Sequence, residues 1–158
     1  MTDPMNAAVP TLVAEFEHSL LADIPLARAM QLRVAQYGDD ELVLAAPLAP
    51  NVNDKGCAFG GSLASLLTLA GWGLIVLHLR ATDRECEVYV QDSQMRYLAP
   101  VWEDLLAHAR LADGESWQAF DAALATRGKA RVRLHCRVPV ASGDACTLEA
   151  RFVAIAKR

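Results

Sequence analysis

Hydrophobic and polar positions recur with two different periods along this chain, and the changes of period mark out its elements. Residues 10–22 carry Leu12, Val13, Phe16, Leu20 and Leu21 at helical spacing, with Glu15, Glu17 and His18 between them, which predicts an amphipathic helix. Pro25 opens a second short turn, Leu26 to Met30. Two strands follow. In 32–37, Leu32 and Val34 alternate with Arg33 and Gln36, and 41–46 is an apolar run. Gly38-Asp39-Asp40 between them is a hairpin signal, and Pro47 and Pro50 end the second strand. From about Ser62 to Arg80 the chain is apolar on nearly every side, interrupted by Ser65, Thr68 and His78. A helix of that kind has to be covered on most sides.

The second half reads mainly as strands. Residues 87–98 form one long strand stopped by Pro100, and 105–111 another. Between 115 and 126 the period turns helical, with Trp117, Phe120, Ala123 and Leu124 on one side, which leaves a helix and an elaborated loop both open. Residues 130–140 alternate cleanly: Val132, Leu134, Cys136 and Val138 against Arg131, Arg133, His135 and Arg137. A turn at Ser142-Gly143-Asp144 joins them to a last strand, 146–156, so the final two strands form a hairpin. The order predicts an α+β class, with an antiparallel sheet curling around helix 62–80.

Composition narrows the picture. The 158 residues suit one domain over 1–158, with a helical extension at about 10–30. A hydrophobic share of 53% excludes disorder. A formal charge of −4 without a basic run argues against nucleic acid as a partner. The apolar stretch 63–79 is short for a membrane span and lacks flanking basic anchors, so a buried core helix is expected. Met1-Thr2-Asp3-Pro4 does not read as a secretory signal. Cys57, Cys86, Cys136 and Cys146 show no CxxC spacing, and a cytoplasmic location with free thiols is expected. No metal and no cofactor are expected: the histidines show no HxH or HxxxH spacing.

One segment carries a resemblance. Asn53-x-x-Gly56-x-x-Phe59-Gly60-Gly61-Ser62-Leu63 is followed by Ala70-Gly71-Trp72-Gly73, then by Asp92-Ser93-x-x-x-Tyr97-Leu98-x-Pro100. This resembles the hot-dog-fold thioesterase superfamily, and most of all the YiiD C-terminal putative thioesterase family, over roughly residues 25–157. The PaaI-like relatives show Asn-x-x-Gly-x-x-His-Gly-Gly, with an acidic residue nine positions after the His. The resemblance implies a curved antiparallel β-sheet wrapped around a long central helix. It implies a homodimer or dimer of dimers with sites between subunits, and an acyl-CoA or acyl-carrier-protein substrate hydrolysed by activated water. Here the family's His is Phe59 and the acid is Thr68, which is neutral and cannot serve as a carboxylate base.

The residues allow specific roles. Two glycines before a helix let a ligand approach the backbone, and the helix start presents unpaired N–H groups with partial positive charge. Gly61 and its neighbours would hold the oxyanion of a tetrahedral intermediate. The plainer alternative is a turn into a tightly packed helix. Asp92, an acid in mid-strand, or an acid of a partner subunit would activate water, with Asn53 and Thr68 orienting it. The alternatives are a solvated Asp92 paired with Arg96 and a plain turn residue at Asn53. Phe59, Gly60, Ser62 and Ser93 are candidate substrate contacts. Ser62 also reads as a helix N-cap and His78 as structural. Arg131, Arg133 and Arg137 form a basic row suited to CoA phosphates, although alternation alone explains it. A non-catalytic acyl-thioester binder is the second reading. A hot-dog dehydratase ranks below both, because it needs a His and an acid together.

Overall fold

The helix α3, Gly60–Ala81, is the axis around which the rest of the chain is laid. Leu66, Leu67, Leu74, Ile75 and Leu77 are all fully buried along it. Each such side chain contributes roughly 1.5–3 kcal/mol by leaving water. In this computed structural model residues 4–158 are described, with side chains from residue 8 onward. By length and composition α3 could cross a membrane, but its apolar side chains are taken up by the sheet and by the N-terminal helix.

The sheet has six strands in the order β1-β2-β4-β5-β6-β3, all neighbours antiparallel. They are β1 (Arg33–Gly38), β2 (Glu41–Ala46), β3 (Cys86–Tyr97), β4 (Leu105–Leu111), β5 (Lys129–Val140) and β6 (Gly143–Ala156). Its inner side faces α3 with Leu42, Leu44, Ala107, Ala109, Leu134, Cys136, Leu148 and Phe152. The outer side carries charge: Arg133 and His135 of β5 stand opposite Arg151 and Glu149 of β6. This is the α+β hot-dog arrangement, with the curved sheet wrapped around the helix.

The close fit of helix to sheet needs small residues. A Cβ on Gly73 would stand 2.7 Å from the Phe16 ring and 2.9 Å from Leu42 Cδ2. Phe16 belongs to α1, Pro4–Asp23, whose Phe16 and Leu20 are fully buried. The helix expected to begin at residue 10 starts six residues earlier, with Pro10 inside it. Pro4 occupies its first turn, and Ala7 and Ala8 are strong helix formers. The short α2, Pro25–Ala29, packs Ala27 into the core. Asp39 and Asp40 both take positive φ, 51° and 58°, in the tight turn that joins β1 to β2.

The open segment at 115–126 is a helix, α4, Trp117–Arg127. Ser116 caps it by accepting from the Ala119 N–H at 3.1 Å, and Gly128 ends it at φ 65°. It docks on the C-terminal end of α3. His78 Nε2 lies 2.9 Å from Asp121 Oδ1, and the His78 ring stacks on Trp117 with centroids 4.0 Å apart.

Candidate active site

The loop before α3 is braced from both sides. Asn51 is buried. Its Nδ2 donates to the carbonyls of Met30 at 3.0 Å and Pro47 at 2.8 Å, and its own carbonyl accepts from the Phe59 N–H at 2.7 Å. The Ala58 N–H donates to the Val101 carbonyl at 2.8 Å. Asn53 closes the turn on itself: its Oδ1 accepts from the Lys55 N–H at 2.8 Å, and its Nδ2 donates to Cys57 Sγ at 3.2 Å. Both ends of the Asn53 side chain therefore hold the loop.

That bracing delivers a bare helix start. Phe59, with extended backbone (φ −69°, ψ 131°), is the N-cap and supplies no capping side chain. The first intrahelical bond runs from the Leu63 N–H to the Phe59 carbonyl. Among the described residues no acceptor is recorded for the amides of Gly60, Gly61 and Ser62. Ser62, read from sequence as the cap, lies inside the helix, because α3 begins two residues before the expected position. Amides without an internal partner need water or a ligand as acceptor, since a buried orphan amide costs about 1–3 kcal/mol.

Two aromatic rings flank the glycine pair. The Tyr97 ring stands 3.4 Å from where a Cβ on Gly60 would lie, and its hydroxyl donates to the Gly60 carbonyl at 3.2 Å. On the other side the Phe59 ring fills the space beside Gly61. On the Tyr97 side, Asn53, Cys57, Gly60, Leu63, Tyr97 and Leu98 line a cleft with a volume of about 360 Å³. Phe59, Tyr97, Leu98 and Trp102 are large apolar side chains left exposed around it.

The fold brings Asn53, Phe59, Gly60, Gly61 and Ser62 together at one end of α3. It does not bring Thr68 or Asp92 to them. Thr68 lies two turns along α3; its hydroxyl donates to the Ala64 carbonyl at 2.8 Å, and it lines a shallow apolar groove with Ile24, Leu26 and Leu69. Asp92 pairs in register with Arg151, on the outer side of the sheet. Its partner there is Arg151, with 3.8 Å between Nε and Oδ2, and not Arg96 as the sequence suggested. The pairing shifts between Val90 and Asp92, leaving Gln91 as a bulge. Val90, opposite Phe152, faces inward, and so do Ser93, Met95 and Tyr97, opposite Ala150, Leu148 and Cys146. The bulge thus reverses the alternation: Ser93 looks to the helix side and Asp92 away from it.

A cavity of about 640 Å³ lies on that outer side between Asp92, Arg110, Arg133, His135, Glu149 and Arg151. Its charges are mutually engaged: Arg133 binds Glu115 at 3.1 Å, Arg110 binds Glu41 at 2.6 Å, and His135 lies 3.7 Å from Glu149. It shares no residue with the glycine cleft. All four cysteines are free, and burial pushes the Cys136 and Cys146 thiols up to about 12 and about 11. Neither is a nucleophile at neutral pH. Tyr97 and Leu98 entered the sequence reading only as part of a motif. Nothing in strand alternation says that a residue near the end of β3 reaches the start of α3.

Solved structures share this architecture. A putative thioesterase from Shewanella oneidensis superposes with a TM-score of 0.82 at 27% identity, covering 92% of this chain and 99% of that one. A protein of unknown function from Chlorobaculum tepidum TLS gives a TM-score of 0.86 at 26% identity, covering 92% and 95%. A thioesterase from Haemophilus influenzae, at 13% identity over 91% and 90%, shares the fold with a TM-score of 0.67. Residues 13–156 match the family described as "Putative thioesterase (yiiD_Cterm)", and the chain belongs to that family, within the hot-dog thioesterase superfamily.

Proposed function

We propose that the protein hydrolyses acyl thioesters, carried on coenzyme A or on an acyl-carrier protein, at the N-terminal end of α3. The observation that carries this reading is a helix start with three unpartnered amides, at Gly60, Gly61 and Ser62, beside a cleft of about 360 Å³ that Gly60 lines. A thioester carbonyl set against those amides would find donors for its developing oxyanion, reinforced by the positive end of the helix. Leu63, Leu98 and the exposed Phe59 offer apolar surface for the acyl chain. Coenzyme A and carrier-protein thioesters are cytoplasmic substrates, and four free thiols accord with that compartment.

The working unit in this reading is a homodimer or a dimer of dimers. β3 is an edge strand twelve residues long, paired only with β6, and it leaves Tyr89 and Val90 exposed in its first half. A long free edge of this kind calls for a covering strand. Among the described residues no carboxylate or imidazole lines the glycine cleft, which supports a second copy as the source of the group that takes the proton from water. Light scattering should give two or four times 17.1 kDa.

One observation favours a second reading, a non-catalytic acyl-thioester binder: the same lack of an acid or base in the cleft. A panel of acyl-CoA substrates of varied chain length, assayed for thiol release, separates the two. Saturable turnover supports hydrolysis, whereas tight binding with no thiol released leaves the binder.

A further inference from the structure

From the inner side of β3 the Tyr97 hydroxyl reaches across to α3 and donates to the Gly60 carbonyl at 3.2 Å. That oxygen belongs to the same planar peptide unit as the Gly61 N–H. A hydrogen bond to the oxygen of a peptide polarises the unit and makes its N–H a stronger donor, by roughly 10–30% in condensed-phase estimates. It also fixes the plane in which that N–H lies. No side chain caps this helix start, so Tyr97 supplies a restraint that an N-cap residue would otherwise give.

Exposure decides between a tether for the fold and a role in the site. Tyr97 is 57% exposed, and a hydrogen bond so open to water adds little to stability, because water replaces it when it is lost. Its geometry is specific nonetheless. The ring lies against Gly60 and forms a wall of the cleft that holds Asn53, Cys57 and Leu98. Of the two rings flanking the glycines, only Tyr97 carries a polar atom; Phe59 has none.

Resting on the thioester reading of this cleft, we propose that Tyr97 is a positioning residue of the oxyanion site, acting through the Gly60–Gly61 peptide. It touches no reacting atom. It orients and polarises the peptide whose N–H meets the oxyanion, so its effect falls on the transition state more than on substrate binding.

Tyr97→Phe keeps the ring and removes the hydroxyl. Wild type and variant are compared on the acyl-CoA panel, and the Gly61 amide is followed by ¹H–¹⁵N NMR without substrate. The expected result is a fall in kcat of about three- to tenfold with KM within about twofold, as one hydrogen bond expressed in the transition state predicts. The Gly61 amide proton should move upfield, and the thermal midpoint should hold. Unchanged kcat in the variant, or a fall in kcat with an unmoved Gly61 resonance, overturns the inference and leaves the thioesterase reading standing. A rise in KM alone makes Tyr97 a substrate wall and also overturns it. A wild type inert towards the whole panel removes both.

Discussion

Phe59 folds back across Gly61, so that the edge of its ring occupies the space a methyl group on Gly61 would need. The ring is exposed and free to swing, and alanine is the better helix former by about 1 kcal/mol. Gly61→Ala should therefore fold as well as the wild type. The displaced ring and the new methyl group would crowd the amides, and kcat/KM should drop by at least about tenfold, short of the roughly 10²–10³-fold that outright loss of one oxyanion donor costs. Adding Phe59→Ala should restore part of that loss. Steady-state thiol release from the two variants checks both statements.

Asp92 and Arg151 form an exposed pair on the outer side of the sheet, with 3.8 Å between charged atoms. Such pairs contribute little to stability. Asp92→Ala is expected to leave the thermal midpoint in place and turnover within about threefold, because its side chain stands away from the cleft. A loss of a hundredfold or more in thiol release would restore Asp92 as the base, reached through the second copy.

Gly73 marks the closest approach of α3 to Phe16 and Leu42. Gly73→Ala forces a methyl group into that contact. Overpacking of this kind costs about 1–3 kcal/mol, against about 1 kcal/mol gained in helix propensity. The expected net loss lowers the midpoint by a few degrees, at roughly 2–4 °C per kcal/mol for a chain of this size. Calorimetry against the wild type decides it.

Glu41 is buried beside His108 and Arg110. Burial raises its pKa, but hydrogen bonds and charge from Arg110 and His108 outweigh that and hold it below its ordinary value of 4.5. An acid whose pKa is lowered on folding stabilises the fold above its unfolded pKa and loses that contribution as pH falls through the folded one. Glu41→Gln should thus cost about 1 kcal/mol at pH 7, discounted for the exposure of Arg110. The gap from the wild type should stay constant down to about pH 4.5 and close below it. Denaturant titrations at pH 7, 5 and 3 test the sign.

Much of the fold was legible because the patterns were strong. The apolar run 41–46 and the alternation at 105–111 are strands with those bounds, each buried on at least one face. The all-round apolar helix predicted its own enclosure. The candidate site was legible at the loop, where a glycine pair precedes the long apolar run and Asn53 marks the turn before it. It was not legible on β3. Val88 and Val90 set up an alternation that places Asp92 inward, and one extra residue at Gln91 inverts it. A bulge leaves no mark in the polarity of the residues around it. Tyr97 was hidden for a different reason: its partner, Gly60, is 37 residues away, and only the curvature of the sheet brings them together.

The bulge at Gln91 makes β3 a strand with two phases, one before it and one after. The residues up to Val90 and those from Asp92 onward could be tuned separately, because a change of register in one half need not propagate into the other. Deleting Gln91 would remove the bulge and leave the pairing on both sides of it intact, Val90 opposite Phe152 and Asp92 opposite Arg151, so the carboxylate would stay on the outer side. An acid on the helix side of this strand is therefore reached by a substitution at an inward position such as Ser93, opposite Ala150, without any change in the helix itself.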